Sequence, residues 1–235
     1  MLDVRIGRKT YVAADGSQLV VLHNIAFSVA RGEVIALLGP SGIGKSTTLR
    51  ILLGLDEAFD GEVRRDGGRT GVMFQEPRLL PWLTVAANLR LVVTEGMPQP
   101  DIAALLEMVR LPKVGALHPR QLSLGMARRV ALARALAVSP DVLVLDEPFA
   151  SLDPQLAAAL ADVVERWTRD TGAAVLLATH DLVQALQLAS RVLILAGAPA
   201  TLAADVAVPP GSDAATRAAL HATLVGRFSF LGSSV

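Results

Sequence analysis

The sequence predicts an α/β protein with a mostly parallel sheet at its core, an antiparallel β-subdomain at its N-terminus and an inserted α-helical subdomain. Three observations predict it. Short, largely apolar runs at 34–38, 142–145, 173–178 and 191–195 have the length and composition of strands buried on both faces. Helical segments beginning near Lys45, Pro154 and Asp181 alternate with those runs, the order that builds a parallel sheet. Residues 83–138 show helix-like spacing punctuated by Pro98, Pro100, Pro112 and Pro119, with no convincing strand.

Taken in order, Leu2–Ile6 and Leu19–Val29 alternate apolar with polar residues around the turn-rich Ala14-Asp15-Gly16-Ser17, which suggests antiparallel pairing. Val34–Leu38 runs into Gly39-Pro40 and then into a helix from Lys45, giving a strand, loop, helix unit. Val72-Met73-Phe74 reads as a strand end before Gln75. After the helical insertion, Val142–Leu145 ends in Asp146-Glu147-Pro148, and the run 173–178 ends in Thr179-His180. The longest apolar stretch near the end, 192–204, is shorter than a bilayer span and is broken by Gly197 and Pro199, so it is not expected to cross a membrane. A turn at 208–212 precedes a final amphipathic helix, expected to hold Arg217, His221 and Arg227 on its solvated side. The expected division is a core of residues 1–82 and 139–235, including the β-subdomain, with residues 83–138 as the helical subdomain.

Composition excludes several functions. The chain has 235 residues, enough for one domain with an insertion, and Lys plus Arg equal Asp plus Glu at 22 each, so no global positive field favours nucleic acid. With no cysteine there is no disulfide, thiolate nucleophile or cysteine zinc site, and four scattered histidines make no metal cluster. Charges at Asp3, Arg5, Arg8, Lys9, Asp15 and Arg31 interrupt any secretory signal in the opening segment. A hydrophobic fraction of 52% against 19% charge is high for a lone domain and points to surface covered by a partner.

Gly39-Pro40-Ser41-Gly42-Ile43-Gly44-Lys45-Ser46 fits GxxxxGK[ST] in the required context, after a buried strand and opening a helix. Glycines let successive N–H groups point into one concavity, and the helix N-terminus adds partial positive charge, so a polyphosphate is the natural occupant. Lys45 suits the β- and γ-phosphates, Ser46 offers a hydroxyl to Mg²⁺, and Thr47 sits near the α-phosphate. Asp146 and Glu147, at a strand's carboxyl end, suit a metal-holding carboxylate and a base that orients the attacking water. His180 and Gln75 occupy equivalent strand ends, where a γ-phosphate contact and a plain structural role are both open.

In order, the phosphate loop, Gln75, Leu122-Ser123-Leu124-Gly125-Met126, Asp146-Glu147, Ser151-Leu152-Asp153 and His180 resemble the nucleotide-contacting motifs of ATP-binding cassette (ABC) ATPases, over about Tyr11 to Leu195. The resemblance implies a P-loop NTPase core with ATP and Mg²⁺ as cofactors. It implies that Lys45, Gln75, Glu147 and His180 serve hydrolysis, that Ser46, Gln75 and Asp146 serve the metal, and that Tyr11 stacks on adenine. An ordinary buried or surface tyrosine is the other reading of Tyr11. Ser123 and Gly125 would meet the γ-phosphate held by a second ATPase subunit, most simply an identical one, in a head-to-tail dimer across which Asp153 communicates. ATP closes such a dimer and hydrolysis reopens it.

The family usually has two glycines and then glutamine where this chain has Leu124, Gly125 and Met126. Either Ser123 and Gly125 keep their roles with altered affinity, or the site is degenerate, slow or asymmetric.

The segment from Gln75 through Arg78-Leu79-Leu80-Pro81-Trp82 to Val85 is similar to that of importer ATPases of the nitrate, sulfonate and taurine group. The similarity implies transmembrane permease subunits that meet Trp82 and Leu79, a periplasmic or lipid-anchored solute-binding protein, and a peripheral position on the cytoplasmic side of the inner membrane. Packing within the helical subdomain is the other reading of Trp82 and Leu79. Exporter and lipid-trafficking ATPases share the hydrolytic motifs, so direction is not encoded in them. ABC ATPases acting on nucleic acid need coiled-coil arms, tandem cassettes or a basic surface, none of which the sequence contains.

Overall fold

The computed structural model describes residues 2–150 and 152–232; Ser151 of the Ser151-Leu152-Asp153 segment lies outside them. The chain forms two compact units, Met1–Asp66 with Leu176–Val235 and, second, Gly67–Val175.

In the first unit β1 (Leu2–Val12) lies between β2 (Gln18–Val29) and β4 (Asp60–Arg65) in an antiparallel sheet. Alternation sets the register: buried Leu2 faces Val29, Ile6 faces Ile25, and Val4 faces Val63 across the other edge. The register slips between Ile6 and Arg8, where Gly61 adopts φ 137° and a Cβ would lie 2.0 Å from the Arg5 carbonyl oxygen. Only glycine fits that bulge.

The unit's other sheet runs β7-β3-β8-β9, from β3 (Val34–Leu38), β7 (Ala174–Thr179, here from Leu176), β8 (Arg191–Ala196) and β9 (Thr201–Ala207). All five residues of β3 are buried, β8 runs parallel to it, and β9 closes the edge antiparallel. Helices α1 (Lys45–Leu52), α6 (Leu182–Leu188) and α7 (Ala214–Arg227) belong here, with α6 packed on β3 and α7 on α6. Arg191 clamps the edge strand by donating to both Asp205 carboxylate oxygens at 2.6 and 2.8 Å, and to Glu33 at 3.1 Å. Those Asp205 bonds outweigh its partial burial and hold its pKa above the ordinary arginine value.

In the second unit β5 (Thr70–Met73) pairs parallel with β6 (Val142–Asp146), next to the start of β7. Its helices are α2 (Val85–Arg90), α3 (Ile102–Met108), α4 (Leu124–Ala137) and α5 (Pro154–Thr171). Thr84, Asp101, Ser123 and Asp153 cap them, each side chain accepting from a first-turn N–H. α4 packs on β5 so closely that a Cβ at Gly71 would sit 2.2 Å from the Ala135 carbonyl oxygen. Gly71 is therefore fixed by a backbone-to-backbone approach.

The expected strands and helices recur within a residue or two at most boundaries, and 85–137 contains no strand. Three differences have physical causes. The first strand runs to Val12 instead of Ile6, because its continuation is polar on the exposed face yet still pairs with β2. β4 and β9 were not expected, since both are edge strands with little burial, and neither has a face buried along its length. The apolar stretch 192–204 is a hairpin of β8 and β9 turned at Gly197, which has φ 93°. Arg217 and His221 are half-buried and line a groove with Val183 and Leu186, so the expectation that they face solvent is corrected; Arg227 is exposed. No described helix is long and apolar enough to cross a membrane.

Candidate functional site

The phosphate loop joins the C-terminal end of β3 to the N-terminal end of α1. Gly39 is required at its base, where a Cβ would lie 2.9 Å from the Leu195 carbonyl oxygen. Gly42 and Gly44 turn the chain with φ of 78° and 114°, conformations that L side chains rarely adopt. Gly44 is the N-cap of α1 and supplies no side-chain cap to the helix's first turn. Lys45 is buried, its ammonium donating to the carbonyls of Gly39 at 2.7 Å and Pro40 at 3.3 Å. The loop thus carries its own cation, held against its backbone carbonyls. Ser41, Gly42 and Ser46 are exposed, Pro40, Ile43 and Thr47 half-buried. Thr48, by contrast, is buried and its hydroxyl donates to the Gly44 carbonyl at 3.0 Å, a purely structural bond.

His180 follows β7 directly and is exposed. Tyr11, late in β1, is 40% exposed, and its hydroxyl donates to Asp56 Oδ2 at 3.0 Å. Lys9 Nζ stands 4.5 Å from its ring centroid, a cation over the aromatic face. Lys9 is itself buried and donates to Asp56 Oδ1 at 2.5 Å and the Ala58 carbonyl at 2.8 Å. Burial of Asp56 opposes its ionisation, but the bonds from Lys9 and Tyr11 and the Lys9 charge prevail and hold its pKa below the usual carboxylate range. Sequence reasoning singled out Tyr11 and missed Lys9 and Asp56.

In the second unit Asp146 is the last residue of β6 and is 8% exposed, a carboxylate held at a strand's carboxyl end. Glu147 follows at φ 49°, in the left-handed region, so its side chain leaves the strand's regular alternation. Strain of this kind in a non-glycine residue persists where the surroundings over-determine it, as they do at functional sites. Gln75, two residues past β5, is exposed, and the segment after it is braced from two sides. Arg134 of α4 donates to the carbonyls of Arg78 at 2.7 Å and Pro77 at 2.8 Å, and its burial lowers its pKa. Buried Asn88 of α2 accepts from Leu80 N–H at 2.8 Å and donates to the Leu80, Leu83 and Thr84 carbonyls. Trp82, between these anchors, is 70% exposed, whereas Leu79 is half-buried.

Ser123 is exposed and caps α4, its Oγ accepting from Met126 N–H at 3.2 Å. Leu124 is the first residue of that helix, is not among the positive-φ residues, and is 57% exposed. Replacing glycine there strains nothing. A Cβ at Gly125 would meet only Leu152 Cδ2, at an ordinary 3.4 Å, so the chain's own packing does not demand glycine. Asp153 caps α5 by accepting from Leu156 N–H at 2.9 Å, a structural duty the sequence reading did not foresee. Burial lowers the pKa of Arg129 and the charge of Asp153 partly offsets it, which ties the helix after Ser123 to the segment of Asp153.

The family profile described as ABC transporter matches residues 22–150. An aliphatic sulfonates import ATP-binding protein, SsuB 2 of Burkholderia cenocepacia strain HI2424, is 43% identical over 97% of this chain and 87% of its own length. SsuB 1 of Pseudomonas aeruginosa strain UCBPP-PA14 is 44% identical over 89% of this chain and 87% of its own. Among solved structures, a dimeric ATP-binding cassette in a post-hydrolysis state bound to ADP and Pi is similar with TM-score 0.81 and 26% identity, over 89% of this chain and 99% of that one.

Proposed function

The chain belongs to the ABC transporter family, and from that premise we propose that it is the ATP-binding and hydrolysing subunit of an importer for a small solute of the nitrate, sulfonate or taurine type. The observation that carries the reading is the phosphate loop: a buried strand delivers three glycines and a buried lysine to a helix start left without a side-chain cap. That arrangement takes a polyphosphate.

In the proposed reaction Lys45 leaves the Gly39 and Pro40 carbonyls for the β- and γ-phosphate oxygens. The N–H groups of 42–47 take the remaining charge, and Tyr11 stacks on adenine. Glu147 accepts a proton from the water that attacks the γ-phosphorus as the bond to the β-phosphate oxygen breaks, yielding ADP and Pi. His180 hydrogen-bonds the γ-phosphate. The Ser46 hydroxyl, the Gln75 amide oxygen and the Asp146 carboxylate are hard oxygen donors, the kind Mg²⁺ takes. When bound, Mg²⁺ supplies positive charge to the phosphate oxygens.

A second cassette, most simply an identical chain, supplies Ser123 and Gly125 to the same nucleotide, with Asp153 between the two. That Gly125 is unneeded by its own packing supports a close approach from outside. Trp82 supports the permease contact, since an exposed tryptophan on a braced segment is a pre-organised anchor. Residues 83–138 act as the helical subdomain, which carries Ser123 and Gly125 and begins directly after Trp82. The subunit then works on the cytoplasmic face of the inner membrane, and import implies a solute-binding protein in the complex.

Light scattering of the Glu147→Gln variant tests the shared site, because it should bind ATP while barely hydrolysing it. The expected result is a monomer that becomes a dimer with Mg-ATP. ATP binding without dimerisation would overturn the identical-subunit mechanism.

A further inference from the structure

Lys9, Tyr11 and Asp56 form a set of mutual contacts that no motif predicts. One carboxylate accepts from two residues of the same strand: the Tyr11 hydroxyl at 3.0 Å on Oδ2 and the Lys9 ammonium at 2.5 Å on Oδ1. Lys9 takes a third bond to the Ala58 carbonyl at 2.8 Å and also lies 4.5 Å from the centroid of the Tyr11 ring. The Lys9 side chain is 3% exposed and that of Asp56 10%, whereas Tyr11 is 40% exposed. With a buried cation under one face, the exposure of the ring lies on the other. Lys9 and Tyr11 stand two apart on β1, so the strand's period of two places both on one face, where they address one carboxylate together.

We propose that Asp56 and Lys9 are positioning residues for nucleotide affinity: they lock the Tyr11 ring with one face presented, so that a base stacks on an aromatic surface already ordered. The proposal rests on the reading that Tyr11 receives the adenine. A tyrosine held at its hydroxyl and against one face keeps no freedom about its ring torsions, so stacking costs little further ordering. The bracket's hydrogen bonds run to Tyr11 and to the Ala58 backbone, so it serves the base and leaves the phosphates alone. Because the presented surface is a bare π-face, it ranks bases by stacking strength and not by hydrogen-bond pattern.

Binding of ATP and of inorganic tripolyphosphate, measured by calorimetry on the full chain, separates these effects. Tyr11→Phe keeps the ring and loses the bond to Asp56; its ATP affinity should fall about threefold, the effect of one hydrogen bond. Tyr11→Ala should lose roughly tenfold or more, the effect of one stacked base. The paired variant Lys9→Met with Asp56→Asn leaves no lone buried charge and should lose about as much as Tyr11→Phe, or more, although the ring is intact. In all three, tripolyphosphate affinity should stay at the wild-type value while KM for ATP rises. If Tyr11→Ala weakens ATP but Tyr11→Phe and the paired variant do not, the bracket is refuted and the stacking role stands. If Tyr11→Ala binds ATP like the wild type, the stacking role fails and the bracket with it. Parallel losses of ATP and tripolyphosphate would mean a general structural role and would also overturn the proposal.

Discussion

Two helix starts in this chain are assigned to the phosphate end of a nucleotide, and they are built differently. α1 opens at Gly44 with φ 114° and no side-chain cap. α4 opens at Ser123, whose hydroxyl already accepts from Met126 N–H. The difference teaches which helix end can bind alone. An uncapped N-terminus with a buried lysine beside it needs a ligand anion and can hold one unaided. A capped N-terminus is complete within its own chain; the Ser123 Oγ accepts from Met126 N–H, and its own O–H contributes only when a partner brings a phosphate oxygen to receive it.

The largest effect should come from breaking the first of these. Gly44→Ala demands a side chain at φ 114° with its Cβ 2.5 Å from Leu22 Cδ2. ATP affinity, read by calorimetry, should fall on the order of a hundredfold from that strain. The matching change in α4 should leave monomer binding untouched.

A smaller and more selective effect is expected at Ser123. Aspartate caps as well as serine, so Ser123→Asp should keep thermal stability, but its charge should repel a γ-phosphate from the partner. In the Glu147→Gln background it should weaken ATP-driven dimerisation about tenfold, the range of a lost charge-assisted hydrogen bond. Ser123→Ala should instead cost about 1 kcal/mol of stability, read as a lower Tm. If Ser123→Asp dimerises normally, α4 does not meet a phosphate and the comparison collapses.

The smallest effect concerns acid. The folded pKa of Asp56 lies below the ordinary value, so its contribution to stability is present above the unfolded carboxylate pKa and is lost as pH falls through the folded one. The wild type should therefore lose stability in urea titrations below about pH 4, and the Lys9→Met, Asp56→Asn pair should lose less over that window.

Much of the site was legible because its signals are contiguous. The phosphate loop sits within ten residues of a strand whose apolar run is unbroken, and Asp146-Glu147 ends another such run. The edge strand β4 was not legible: reading Asp-Gly-Glu-Val-Arg-Arg, it has no buried face to impose a pattern. Leu124 shows the opposite limit. From sequence it suggested either altered affinity or a strained, degenerate signature; placed at the first turn of α4 with an ordinary φ, it is an exposed side chain without strain.

The sequence by itself determined the α/β class and marked the glycine-rich strand-to-helix turn, the acidic pair at a strand end and the strand-free stretch 85–137, because each rests on hydrophobic period or turn chemistry within a few neighbouring residues. Only the tertiary structure decided that Asp56 reaches back 47 residues to Lys9 and 45 to Tyr11, and that Arg134 holds the Arg78 carbonyl 56 positions away. It also decided the left-handed turn at Glu147. These contacts join segments that no local pattern relates. They form once strand register and helix packing have brought the segments together, and a buried donor or acceptor must then be satisfied by whatever group the fold has placed beside it.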